Sequence, residues 1–205
     1  MKKLLLAAVF AGLAGSAQAD IIPTLDAVTA NGDGTYRFDY TGTLAEDQGV
    51  RSGDSATRSK VVIFDFAGYV DGSISTGGNA NVNAYVELVS DLGAGLPLAG
   101  NGESDDASLF NLVFEYIGPD FRTSDGPYPS FDFGGFSAAS IFSGVALDGF
   151  ASRGVKNNGD ATGSNVVNFG QVGVPTGTAV PEPGMIGLLG LGLLGLGITR
   201  RRRTA

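Results

Sequence analysis

Carboxylates are the side chains in this 205-residue sequence with the widest scope for proton-transfer chemistry, because it contains neither cysteine nor histidine. Without those two residues there is no thiol nucleophile, no Ser-His-Asp triad and no zinc site built on imidazole or thiolate. Paired carboxylates can cleave glycosidic bonds unaided, and Asp65, Glu87, Glu115 and Asp132 are the candidates, each on or beside a strand-like segment. Their Phe and Gly neighbours suit strand ends at which a carboxylate caps a turn. No catalytic residue is therefore assigned, and the chain is not expected to be an enzyme. The loops Asn101-Gly102-Glu103-Ser104-Asp105-Asp106 and Asn31-Gly32-Asp33 carry the oxygen ligands that calcium requires. Neither has the spacing of an EF-hand, so calcium is a candidate ion and no metal ligand or cofactor is assigned. Gly-x-Ser-x-Gly and a phosphate-binding Gly-Lys-Ser/Thr loop are both absent.

The segments that would position such groups have the period of strands. In 35–44, Tyr36, Phe38, Tyr40 and Leu44 fall on one face, with Arg37, Asp39, Thr41 and Thr43 on the other. Asn31-Gly32-Asp33-Gly34 just before them is a turn signal. Further strands are predicted over 60–66, 82–89, 109–117, 141–147 and 165–174. No stretch has a capped helical period. The expectation is an all-β, antiparallel β-sandwich or jelly-roll-like ectodomain. Phe64-Asp65-Phe66-Ala67-Gly68-Tyr69 is echoed by Phe131-Asp132-Phe133-Gly134-Gly135-Phe136, which would suit two related halves, equivalent corners in two sheets, or chance.

The two ends of the chain differ from this body. Lys2 and Lys3 precede the apolar run Leu4 to Leu13, and Ala17-Gln18-Ala19 meets the small-residue rule for signal peptidase. Residues 1–19 are read as a cleavable signal peptide, cut between Ala19 and Asp20. At the other end, Pro181-Glu182-Pro183 precedes sixteen uncharged residues (184–199) and then Arg200, Arg201, Arg202 and Arg203. As a helix, 184–199 would rise about 24 Å, enough for one transmembrane span with local thinning or arginine snorkelling. The four arginines act as a cytoplasmic stop under the positive-inside rule. Two prolines keep 181–183 extended and accessible. The chain thus divides into a signal peptide (1–19), a β-rich ectodomain (20–173), a linker (174–180) and a tail (181–205), whose basic end is 200–205.

Residues 20–180 hold twenty acids and seven bases, a net charge of −13. This argues against nucleic acid and against an anionic membrane surface as partners. It is compatible with simple solubility, divalent cations or a hydrated polysaccharide. Export would permit disulfides, yet the body has none and must rely on its own core. Tryptophan, the commonest sugar-stacking platform, is also missing.

The tail, with its tripeptide Pro181, Glu182 and Pro183, its Leu-Gly-rich span and its four arginines, resembles the PEP-CTERM sorting signal of Gram-negative bacteria. The resemblance implies recognition by exosortase, a membrane-embedded cysteine peptidase, after signal peptidase has acted. Such a tail has also been labelled an ice-binding protein C-terminal domain, a label that concerns the tail alone. Phe64–Val70, Asn111–Tyr116 with Gly118, and Gly134–Ala138 are similar to a group of PEP-CTERM ectodomains, which supply no catalytic residue to carry over. The function expected is that of an exported cell-surface or extracellular-matrix protein, sorted by exosortase, with a non-catalytic structural or adhesive ectodomain. Its localisation would pass from a transient single-pass intermediate in the inner membrane to the cell surface or medium. The alternative is a secreted polysaccharide- or calcium-binding module, less favourably a carboxylate-based glycosidase, on a simple membrane anchor.

Overall fold

The computed structural model describes residues 21–44, 48–54, 57–89, 105–122, 132–156 and 163–177. The predicted signal peptide (1–19) and tail (181–205) lie outside them; of the predicted linker 174–180, residues 174–176 belong to the last strand and 178–180 lie outside the described residues. Ten strands follow in order: β1 (Ile21–Ala30), β2 (Tyr36–Leu44), β3 (Gln48–Val50), β4 (Lys60–Phe66), β5 (Val82–Glu87), β6 (Phe110–Tyr116), β7 (Phe121–Arg122), β8 (Asp132–Ser140), β9 (Gly144–Lys156) and β10 (Asn165–Thr176). Every pairing is antiparallel. A small sheet runs β1-β2-β8, and a larger one runs β5-β6-β4-β9-β3-β7 with β10 on β9. The all-β sandwich expected from the sequence is observed, and no helix occurs among the described residues.

The sheets bury alternate residues against each other. Phe38, Tyr40, Phe136 and Ala138 come from the small sheet, and Val61, Ile63, Leu112, Phe114, Phe150 and Val172 from the large one. Phe136 stacks on Tyr40 (5.9 Å between centroids) and tilts against Phe114 (4.3 Å), so it joins the layers. The Tyr40 hydroxyl donates to the Gly173 carbonyl at 2.9 Å in the buried seam. Burial pushes its ionisation far above the ordinary phenol range, which keeps it a donor.

The predicted strands 35–44, 60–66, 82–89, 109–117 and 165–174 coincide with β2, β4, β5, β6 and β10. The predicted 141–147 strand overlaps β9 only from Gly144 onward, and β9 runs on to Lys156. β1 was not predicted, because Pro23 and Asp26 interrupt its pattern. It is an edge strand, where a proline costs no ladder bond on the open side. β8 was hidden by its small residues, Gly134, Gly135, Ala138 and Ala139.

The two Phe-Asp-Phe segments are not equivalent corners. The first closes β4, where Asp65 takes φ +55° at a bulge between Ile63 and Phe66; Asp132 of the second opens β8. Beyond β4, residues 69–75 run along the outer edge of β8, through bridges Tyr69–Ser140 and Ser75–Ser137. That ribbon covers an edge that would otherwise be open to another chain.

Tyr40→Phe removes the inter-sheet donor and leaves a buried carbonyl unpaired. Urea unfolding of residues 20–180 should show a loss of about 1–3 kcal/mol with an unchanged m-value.

Candidate functional site

Three groups of polar side chains stand out on this frame. The first lines a groove of about 340 Å³ on the small sheet. It lies on the face of Asp26, Arg37, Asp39 and Thr41 of β1 and β2, bordered by Ser75 and Gly77 of the ribbon and Ser137 of β8, while the Tyr40 and Phe136 side chains are buried on the opposite, core face of the same strands. Strand alternation puts Arg37, Asp39 and Thr41 on one face, as the sequence implied. Arg37 Nε lies 2.8 and 3.0 Å from the two oxygens of Asp39, and the Thr41 hydroxyl donates to Asp26 at 3.2 Å. The groove therefore offers carboxylate acceptors, hydroxyls and a guanidinium side by side, a lining suited to a hydroxyl-rich ligand.

The second group occupies the outer face of the large sheet. There Val62, Phe64, Val113 and Ala151 form a second buried cluster, flanked by Tyr85, Val167 and Phe169. Among them Glu115 accepts from Arg58 Nη1 at 2.9 Å and from the Tyr85 hydroxyl at 3.0 Å. Arg153, with no exposed surface, donates through Nε to the Arg58 carbonyl at 2.8 Å. Burial first, and then the hydrogen bond to Glu115, raises the Tyr85 ionisation well above its ordinary value. Glu115 is thus a partnered strut between strands.

The third group surrounds Asp65. Its backbone N–H donates to Asn111 Oδ1 and its carboxylate accepts the Asp106 N–H, both at 2.9 Å. Asn111 in turn donates to Asp105 at 3.0 Å. Burial, followed by the charges of Asp148, Asp105 and Asp106, raises the Asp65 carboxyl above its usual range despite the hydrogen bond from Asp106.

Of the carboxylates considered for glycoside chemistry, Glu87 and Glu115 occupy different register positions, while Asp65 and Glu87 flank Asn111 from the strands on either side. Glu87 pairs with Asn111 and Glu115 with Asn83, so the two are four residues apart along the strands, about 13 Å. The side chain of Asp132 lies outside the description. In the Asn31–Gly34 turn, Asp33 Oδ1 is taken by the Thr35 N–H and hydroxyl, at 2.9 and 2.6 Å, which lowers its pKa. Among the described residues no group of three potential ligands converges for a metal; Asn101–Ser104 lie outside them.

The residues assigned to processing (Ala17, Ala19, Asp20, Pro181, Glu182, Pro183 and Arg200–Arg203) also lie outside the described residues. What the structure places is their attachment point: β10 ends at Thr176, five positions before Pro181. From there on the sequence itself decides. Residues 179–203 match the family model of the PEP-CTERM protein-sorting motif. The chain carries a PEP-CTERM sorting motif. The motif implies exosortase processing, export, and a cell-surface or extracellular location. No curated protein and no solved structure matches the chain.

Asp65 yields a pH prediction with a definite sign. A raised folded-state pKa means that the ionised carboxylate costs stability. That cost is fully present above the folded pKa and vanishes below the unfolded one, near 3.8. Asp65→Asn keeps the acceptor and tolerates positive φ. It should be more stable than the parent at pH 7, with the difference closing as pH falls through the carboxylate range; a pH series of urea midpoints checks this.

Proposed function

We propose that this PEP-CTERM protein is a non-catalytic structural or adhesive component of the cell surface or extracellular matrix. The observation that carries the reading is the sorting motif at residues 179–203, joined by a short linker to a disulfide-free β-sandwich. In this reading signal peptidase cuts after Ala19. The span 184–199 then holds the chain in the inner membrane, with Arg200–Arg203 on the cytoplasmic side. Exosortase engages the extended Pro181–Pro183 strip and releases the ectodomain to the exterior.

Two observations support a non-catalytic body. Glu115 is consumed by Arg58 and Tyr85, and Asp65 is held by backbone and side-chain amides. Adhesion would use the small-sheet groove, whose carboxylates, hydroxyls and guanidinium suit an extracellular polysaccharide.

Substituting both Pro181 and Pro183 by Ala lets the strip join the helix that follows and should remove the recognition feature. The expected outcome is full-length protein accumulating in the inner membrane, followed by immunoblot of cell fractions. Normal release of this variant would contradict the reading.

A further inference from the structure

Eight large hydrophobic side chains are exposed among the described residues, and six of them gather at one end of the molecule. Strand register defines that end. Gly144 opens β9 opposite Thr176, the last residue of β10. β4 runs antiparallel to β9, with Ile63 opposite Phe150, so its C-terminal residue Phe66 points the same way and pairs with Phe110 at the start of β6. Glu87, at the end of β5, pairs with Asn111. Val145 and Leu147 of β9, Leu88 and Val89 after β5, and Phe110 therefore share one end of the large sheet. Ile141 joins them, because its N–H donates to the Gly68 carbonyl just past β4. The remaining two, Ile22 and Ile117, sit at the opposite ends of β1 and β6 from this group.

Aromatic residues support this rim from behind. Tyr69 meets Phe110 and Phe66 edge to face, at 5.5 and 6.3 Å. Gly68 takes φ +65° and packs so closely under Phe142 that an added Cβ would lie 2.6 Å from its ring. The turn thus needs glycine to seat Phe142 and Ile141. Leu147, 69% exposed, and Val89, 66% exposed, are the most open members. Burying apolar side chains of this size favours an interface roughly in proportion to the area removed from water.

The chain leaves the domain at this same end. Four residues, Gly177 to Val180, lie between β10 and Pro181. The five steps from Thr176 to Pro181 reach at most about 17 Å. The sorting motif continues into the sixteen uncharged residues 184–199. A domain tethered so closely to a membrane span presents its exit end to the bilayer.

We propose that, before processing, the sandwich rests on the membrane through this end, with Ile141, Val145, Leu147, Leu88, Val89 and Phe110 in the headgroup region of an electrically neutral lipid surface. The proposal rests on the anchored intermediate described above. The choice of lipid follows from charge: Glu87, Asp105, Asp106 and Asp148 lie among or beside the apolar residues, and an anionic surface would repel them. Apolar side chains with Tyr and Phe near a polar boundary are what an interface accommodates. Docking would hold the exit of β10 close to the headgroups and limit how far Pro181–Pro183 can stand above them.

The absence of cysteine allows single-site labelling of the full-length chain. Leu147→Cys and Ile117→Cys variants, each carrying an environment-sensitive fluorophore, are reconstituted in phosphatidylcholine nanodiscs containing a shallow nitroxide lipid. The label at 147 should lose most of its fluorescence and that at 117 little, with quenching at 147 reduced in phosphatidylglycerol discs. Anchored protein whose two labels respond alike would overturn this inference and leave the anchored reading standing. Energy transfer between copies at 147, without lipid quenching, would overturn it in favour of a self-association surface. A chain that does not enter the discs at all would contradict the anchored reading, and this inference with it.

Discussion

The seam between the two sheets is where this fold is closed. Tyr40 stacks on Phe136, Phe136 leans on Phe114, and the Tyr40 hydroxyl reaches across to the Gly173 carbonyl. A chain exported without cysteine has no covalent cross-link to restrain its unfolded state, so packing and this buried hydrogen bond must supply the cohesion. Other features depend on the seam. Tyr40 and Phe136 also belong to the strands whose opposite face carries the polar groove, so the packed layers back that face. Gly173 belongs to β10, the strand that delivers the chain to its sorting motif.

The outer face of the large sheet explains how an acidic domain uses its few bases. Lys60 and Arg153 are buried, and Arg58 is committed to Glu115 and to loop carbonyls. Arg58 and Arg153 hold strands and loops together inside the fold, and since Asp65 and Glu115 are buried as well, the solvent-facing surface keeps the strongly acidic balance of the body. Such a surface keeps exported copies apart and soluble. It also leaves hydrophobic contact, confined to the exit end, as the main attraction available toward a neutral membrane.

Much of the architecture was legible because strand alternation is local. Tyr36, Phe38 and Tyr40 declare β2 within a few residues of one another, after a turn that Asn31–Gly34 announces. β1 and β8 lacked that signal, since Pro23, Asp26 and the small residues of 134–139 are acceptable only at an edge or beneath a covering ribbon. Glu115 was visible as a strand carboxylate, but its partners Arg58 and Tyr85 come from 57 and 30 residues away and meet it only through sheet pairing. The same holds for the groove, which needs β1, β2, β8 and the 69–77 ribbon together. The sorting motif was readable outright, because its tripeptide, uncharged stretch and arginines are defined by residue order alone.

The tail is either a processing signal or a permanent anchor. Intact mass spectrometry of the protein recovered from cell surface and medium decides between the two most directly. Processing should yield a species that begins at Asp20 and ends within or beside Pro181–Pro183, with or without an attached carbohydrate or lipid. A mass that runs through Arg200–Arg203 to Ala205 would contradict it and make the sandwich a permanently tethered ectodomain.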